Sequence, residues 1–370
     1  MPFLTVSFYN YRNLQNSRID LAGSREVYFV GENGQGKSNL LESLYYTAYG
    51  ISFRTHIDSQ IIRAGQRDFS VTALYDKAPG DTQQVRIIFE NNKKRIEKNG
   101  KKINDRKELI NTIPCILFCH DDMRFATGDP EDRRFFIDQS LTLFDSTYID
   151  DIRNYKKILK SRNTILKEKK YELLDVYDQQ LVNYGLIIQA KRKKAIFQFN
   201  QIFGKLYEDV TGIQNLKVSY EPSWKEISDG LSLRTPGYDE VFRSLMSRRE
   251  ADKAMETTLS GPHRDKINFV KDGQLFVQTA STGQCRLISL ILRVAQSVFY
   301  SQSTGLKPVL LMDDVLLELD PAKRTKLTAM LPEYDQLFCT FLPGEPYENY
   351  KRETTKVFHI ENGQWTEAKK

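Results

Sequence analysis

The sequence predicts an α/β core interrupted by a helical insertion. Three observations carry this prediction. The apolar run Val27-Tyr28-Phe29-Val30 leads into Gly31-Glu32-Asn33-Gly34-Gln35-Gly36-Lys37-Ser38, and a helix-like pattern through Leu40, Leu41, Leu44 and Tyr45 follows. A long stretch from about Glu131 to Asp209 reads as helix, with glycine and proline nearly absent. A second apolar run, Val309-Leu310-Leu311-Met312, ends in the paired carboxylates Asp313 and Asp314.

The chain has 370 residues, room for two or three structural units with a sizeable core. Charged residues make up 28% and apolar ones 40%, and the net charge is +6, a mild basic bias that permits a nucleic-acid partner without demanding one. No apolar segment reads as a signal peptide or reaches membrane-spanning length. Cys115, Cys119, Cys285 and Cys339 form no C-x-x-C pair, so buried thiols in a reduced, cytoplasmic protein are expected.

In chain order, residues 1–125 form the strand-rich first part of the core. Its strands are expected at Leu4–Phe8, Val27–Val30, Phe69–Tyr75 and Val85–Glu90. Asn99-Gly100 signals a hairpin turn between Arg95-Ile96-Glu97 and Lys102-Ile103. Residues 126–250 form the helical insertion. Ile152, Tyr155, Ile158 and Leu159 fall at helix spacing, as do Tyr177, Leu181, Tyr184 and Ile188. Residues 251–370 return to the core, with a strongly apolar helix through Leu287–Leu292 and the acidic strand.

The glycine-rich string matches G-x-x-x-x-G-K-[ST], a loop whose backbone N–H groups turn toward nucleotide phosphates at a helix N-terminus. The expected nucleotide contacts are Gly31, Asn33, Gly34, Gly36, Lys37, Ser38 and Asn39. Lys37 would reach the β- and γ-phosphates, and the Ser38 hydroxyl would ligate Mg²⁺ with Asp313. Asp314 would orient or deprotonate the attacking water, so Lys37, Asp313 and Asp314 are the expected catalytic set. The cofactors are ATP and Mg²⁺.

Ser281-Thr282-Gly283-Gln284 stands at the start of the apolar helix, one helix and a loop ahead of the acidic strand. By itself it reads as an ordinary N-cap. Its position is similar to that of the signature sequence of ABC-type ATPases, which ends S-G-G-Q. Leu317-Glu318-Leu319-Asp320 resembles the loop those ATPases use across a dimer interface. The likeness implies that Ser281, Gly283 and Gln284 of one protomer contact the γ-phosphate held by another, in a head-to-tail dimer with ATP between the copies. Asp314 stands where most ABC transporters carry Glu, one methylene longer, and slow turnover is expected because small misplacements cost rate steeply.

Longer strings resemble the RecF family, bacterial recombination-mediator ATPases related to the SMC group. They are Phe8-Tyr9-Asn10-Tyr11-Arg12-Asn13-Leu14, Ser52-Phe53-Arg54-Thr55 and Pro130-Glu131-Asp132-Arg133-Arg134-Phe135-Phe136-Ile137-Asp138. Ser260-Gly261-Pro262-His263-Arg264-Asp265 and Asp313-Asp314-Val315-Leu316-Leu317-Glu318-Leu319-Asp320 are the most discriminating. Lys266, Cys285, His120 and the segment Thr340-Phe341-Leu342 depart from the family pattern. The resemblance implies an ABC-type, SMC-like phosphate-loop ATPase head with a helical insertion domain. It also implies duplex, gapped or junction DNA as partner, an ATP-bound homodimer, slow DNA-stimulated hydrolysis, and RecO and RecR as helpers in loading RecA. An ABC-type ATPase of another pathway, SMC-like or transporter-associated, is the alternative.

Two basic runs are candidates for phosphate contact: Lys93-Lys94-Arg95 with Lys98, Lys101 and Lys102, and Lys156-Lys157 with Lys191-Arg192-Lys193-Lys194. No base-reading motif is visible, so DNA binding led by shape and charge is expected. His263 and Arg264 are expected to be structural or nucleotide-linked rather than catalytic, since no triad spacing is present; the purely structural alternative has them cap a strand and pair with Asp265.

Overall fold

A computed structural model describes residues 1–110, 112–225, 227–228, 233–234, 236–316 and 319–368. The chain divides into two compact units, Met1–Asp122 with Gln296–Lys370, and Met123–Ala295.

The first unit holds two six-stranded sheets. One runs Gln364–Glu367, Thr355–Glu361, Glu26–Val30, Gln336–Phe341, Val309–Met312, Cys115–Phe118 across the sheet. Apart from the C-terminal hairpin, its strands pair in parallel. Each of Glu26–Val30, Gln336–Phe341, Val309–Met312 and Cys115–Phe118 is buried along its whole length. Strands covered on both faces read as continuous apolar runs, which is why Val27–Val30 and Val309–Met312 stand out in the sequence. The register sets Met312 beside Cys339 and Cys339 beside Tyr28, so the loops after three neighbouring strands share the C-terminal edge of the sheet. Ligands of open α/β sheets bind at that edge.

The other sheet is antiparallel, in the order Arg18–Asp20, Phe3–Tyr9, Phe69–Ala78, Asp81–Glu90, Lys93–Lys98, Lys101–Ile103. Phe69, Val71, Ala73 and Tyr75 alternate inward along its central strand. Asn99-Gly100 makes the expected two-residue turn, both residues at positive φ. The helix Lys37–Tyr49 packs in the same core through Leu40, Leu41, Leu44, Tyr45, Tyr46 and Ala48.

The second unit is built on helices Pro130–Thr142, Ser146–Glu168 and Leu174–Thr211, with a three-stranded sheet of Gln274–Leu275, Lys266–Lys271 and Leu216–Glu221. Among the described residues no helix is long and apolar enough to cross a membrane.

One buried charge fixes the phosphate-loop helix to the turn that follows the strand Phe3–Tyr9. Glu42 is fully buried, and Arg12 grips it with Nε–Oε2 at 2.9 Å and Nη2–Oε1 at 2.7 Å. The Ser52 hydroxyl donates to Glu42 Oε1 at 2.5 Å. Removing one partner of a buried pair strands the other, at about 3–5 kcal/mol for full burial. Arg12 is partly exposed and Ser52 would remain, so Arg12→Met is expected to lower the unfolding free energy by about 2 kcal/mol. Urea denaturation measures this, and an unchanged midpoint would show that the pair contributes nothing.

Candidate nucleotide site

The loop after Glu26–Val30 turns at Gly34 (φ +78°) and Gly36 (φ +115°), and Gly36 opens the helix Lys37–Tyr49. At Gly36 a Cβ would sit 2.9 Å from Asn13 Oδ1, so both conformation and space call for glycine. The helix start has no side-chain cap and no acidic residue in its first turn. Its orphan N–H groups and positive dipole end are thus left for an external anion.

Lys37 is buried, and its Nζ donates to the Gly31 carbonyl at 2.7 Å and the Glu32 carbonyl at 3.2 Å. The ammonium therefore sits within its own loop, on neutral acceptors that a phosphate oxygen would replace with a charge-assisted bond. Asn33 is exposed at the loop tip. Asn39 is engaged in a side-chain relay: Arg54 Nη1 donates to Asn39 Oδ1 at 2.6 Å, and Asn39 Nδ2 donates to Asn13 Oδ1 at 2.7 Å.

Ser38 and Asp313 meet although 275 residues separate them, with Ser38 Oγ donating to Asp313 Oδ1 at 2.8 Å. Burial pushes the Asp313 carboxyl up to about 6; the Ser38 hydrogen bond opposes this and the neighbouring Asp314 charge adds to it. A hydroxyl and a carboxylate side by side are hard oxygen donors, and a divalent cation would relieve the penalty on the ionised acid. Among the described residues no cluster of three or more His, Cys, Asp or Glu could hold a metal by itself. Mg²⁺ needs only one or two carboxylates when phosphates and water complete its shell. The donor set therefore fits Mg²⁺ arriving with a nucleotide.

Asp314 adopts a left-handed conformation (φ +54°). Its N–H donates to Thr340 Oγ1 at 2.7 Å, and the Thr340 hydroxyl lies 2.7 Å from Asp314 Oδ1 and 3.3 Å from Asp313 Oδ1. Thr340 thus orients both acids. In the sequence it figures only as part of a weakly family-like strand; a hydroxyl near the end of the buried strand Gln336–Phe341 was the available signal.

Ser281, Gly283 and Gln284 open the helix Thr282–Thr304 in the second unit. Ser281 Oγ accepts from the Gln284 N–H at 3.2 Å, and Gln284 Oε1 accepts from the Ser281 N–H at 2.7 Å, a reciprocal capping box. Ser281, Thr282 and Gly283 are exposed, and a Cβ at Gly283 would meet nothing closer than Ser281 Oγ at 4.0 Å. The chain's own packing does not require glycine there. Of the acidic loop, Leu317 and Glu318 lie outside the described residues, while Asp320 caps the helix Pro321–Ala329 by accepting from the Lys323 N–H at 2.9 Å.

The RecF/RecN/SMC N terminal domain model matches residues 4–366 of the chain. The DNA replication and repair protein RecF of Treponema pallidum (strain Nichols) is 48% identical over 357 residues, covering 96% of this chain and 98% of that protein. The chain belongs to the RecF family. RecF of Clostridium perfringens (strain SM101 / Type A) is 33% identical over 98% of this chain and 99% of its own length. Among solved structures, the recombination mediator protein RecF-ATP in the RecFOR pathway superposes with a TM-score of 0.88 at 25% identity, covering 99% of this chain and 97% of that one. An SMC head bound to the C-winged helix domain of ScpA gives a TM-score of 0.57 at 13% identity, a likeness of fold. The ABC-type, SMC-like ATPase head read from the sequence is therefore the fold of this chain, and its family is one of ATP-binding ATPases.

In the RecF-like string Gly261–Asp265, His263 and Asp265 are held by other side chains of the second unit. Asp265, fully buried, pairs with Arg192 Nη1 at 2.9 Å, where the purely structural alternative had it pair with His263 and Arg264. It also accepts from Gln189 Nε2 at 2.7 Å, Tyr220 Oη at 2.7 Å and the Ser223 N–H at 2.8 Å. Arg192 further grips Asp138 through Nε and Nη2, both at 2.9 Å. Arg192 therefore leaves the basic run Lys191–Lys194 and becomes a buried cross-link. Lys191 bonds Asp145 and Asp151, and Lys94 bonds Asp58. Lys156, Lys157 and Lys194 remain exposed in the second unit, as do Lys93, Lys101 and Lys102 in the first, while Arg95 pairs with Glu97 at 3.1 Å.

His263 is held as a neutral ring: Nδ1 lies 2.7 Å from Tyr155 Oη, and Nε2 lies 3.0 Å from the Thr258 carbonyl. These partners assign the proton to Nε2. Burial lowers its pKa to about 4, with Arg264, Arg134 and Arg162 adding to the effect and the Thr258 bond opposing it. Between about pH 6.5 and 4 the unfolded chain binds the extra proton, so this contribution to stability is complete above that window and lost as pH falls. Between pH 7 and 5 the wild type is expected to lose on the order of 1–2 kcal/mol more than His263→Gln in urea denaturation. Equal losses would contradict the assignment.

Proposed function

We propose that this chain is an ATP-dependent DNA-binding protein of recombinational repair, with ATP and Mg²⁺ driving head-to-tail dimerisation on duplex or gapped DNA. RecF relatives named for DNA replication and repair support the pathway. The similar solved structure of RecF-ATP in the RecFOR pathway supports the nucleotide and makes RecO, RecR and RecA loading the partners to test. The observation that carries the reading is the convergence of the uncapped phosphate-loop helix, Ser38, Asp313 and Asp314 at one sheet edge. In this reading Gly31, Asn33, Gly34, Gly36, Lys37, Ser38 and Asn39 hold the phosphates. Ser38 and Asp313 would hold Mg²⁺, which would neutralise charge on the phosphoryl oxygens.

Ser281, Gly283 and Gln284 supply the second half from another copy. Glycine in a helix costs about 1 kcal/mol relative to alanine, and nothing in this chain needs the space above Gly283. An approaching γ-phosphate would need it. Asp314 acts on the attacking water, with its short reach and its tie to Thr340 favouring slow turnover. Exposed lysines supply salt-dependent attraction to DNA phosphates.

The deciding assay follows ATP hydrolysis and sedimentation with and without gapped duplex DNA. ATP is expected to promote a dimer and DNA to accelerate hydrolysis. Asp314→Asn is expected to keep binding and dimerisation while losing about a hundredfold or more in hydrolysis. Undiminished turnover in that variant would remove Asp314 from the reaction.

A further inference from the structure

The phosphate loop is held from outside by a part of the chain more than three hundred residues away. Asn362-Gly363 forms the two-residue turn of the C-terminal hairpin, both residues at positive φ (+49° and +77°), with Glu361 and Gln364 paired across it. The two central N–H groups of such a turn have no partner within the hairpin. Here both reach Gln35, the residue between the two positive-φ glycines of the loop. The Gly363 N–H donates to the Gln35 carbonyl at 2.9 Å, and the Asn362 N–H donates to Gln35 Oε1 at 2.6 Å. Asn13 adds a third donor, its Nδ2 lying 3.2 Å from the same Gln35 carbonyl.

A trans peptide is planar, so its carbonyl and the following N–H point in opposite directions. Two donors on the Gln35 carbonyl therefore fix the Gly36 N–H away from the hairpin turn. Space enforces the arrangement as well: a Cβ on Gly363 would overlap the backbone carbonyl of Asn13, and the Gly363 carbonyl accepts from the Gln15 N–H at 2.9 Å.

We infer that the Asn362-Gly363 turn and Asn13 are positioning elements of the nucleotide site, which preorganise the Gln35–Gly36 peptide to receive phosphate. This rests on the nucleotide-binding reading of the loop. The backbone N–H groups of such a loop cradle the α- and β-phosphates, which ATP and ADP share. Loosening the clamp therefore weakens both nucleotides alike, by freeing a peptide plane that otherwise needs no reordering on binding.

The test is titration of full-length wild type, Gly363→Ala and Asn13→Ala with fluorescent ATP and ADP analogues, alongside thermal melts without nucleotide. Loss of one net hydrogen bond corresponds to roughly twofold to tenfold in affinity. Asn13→Ala, which frees both the Gln35 carbonyl and the Asn39 amide, is expected to lose about threefold or more and Gly363→Ala about tenfold or more, equally for ATP and ADP, with the melt of Asn13→Ala unchanged. In the wild type, saturating ADP is expected to slow hydrogen exchange at the Asn362 and Gly363 amides, because coupling between the turn and the site is reciprocal. Wild-type affinity in Asn13→Ala, or a loss confined to ATP, overturns the inference; Asn13→Ala decides alone if Gly363→Ala fails to fold. Absence of nucleotide binding by the wild type removes the nucleotide reading itself, and this inference with it.

Discussion

A helix start leaves backbone N–H groups without partners, and the phosphate-loop helix answers that need with nothing of its own. It carries no side-chain cap and no acidic residue in its first turn, while its lysine is turned back onto loop carbonyls. The surrounding structure keeps this uncapped end in place. Parallel buried strands bring the Ser38, Asp313 and Thr340 segments to one edge. The Arg12–Glu42 pair ties the helix to the turn after the strand Phe3–Tyr9, and the hairpin turn at Asn362-Gly363 holds the loop itself. An anion at this end would meet a positive dipole, converging donors and the Ser38–Asp313 pair proposed to hold Mg²⁺.

The helix Thr282–Thr304 solves the same problem differently. Ser281 and Gln284 satisfy each other, so this helix start is complete without a ligand. Its exposed first turn with an unneeded glycine leaves it free to meet an external group. One helix start lacks a cap of its own and the other is complete without a ligand, which is the difference the proposed shared site makes use of.

The glycine-rich string and the acidic strand were legible because local chemistry encodes them: positive-φ glycines, a lysine, and buried runs that end in carboxylates. The Asn99-Gly100 hairpin and the long helices were legible for the same reason. Long-range pairing was not. Arg192 sits in a run of four basic residues, and only Asp138 and Asp265 from distant segments decide that it is buried. Asp265 looked like a partner for its neighbours, yet its cation comes from another helix. Asn362-Gly363 announces a turn by composition, but not that the turn lands on Gln35. Thr340 is one hydroxyl in an apolar strand, and its meaning depends on the register that sets it beside the acids.

The claim that two copies share each site is tested most directly by mixing two disabled variants. Lys37→Ala removes the phosphate-loop cation and Ser281→Arg blocks the signature turn, so neither homodimer contains an intact shared site. A mixed dimer would contain one, built from the wild-type loop of the second variant and the wild-type signature of the first. ATP hydrolysis in the presence of gapped duplex DNA is expected to be low for each variant alone and to recover on mixing, up to about a quarter of the wild-type rate for random pairing with one intact site per mixed dimer. A mixture no more active than its two components would contradict a site completed in trans.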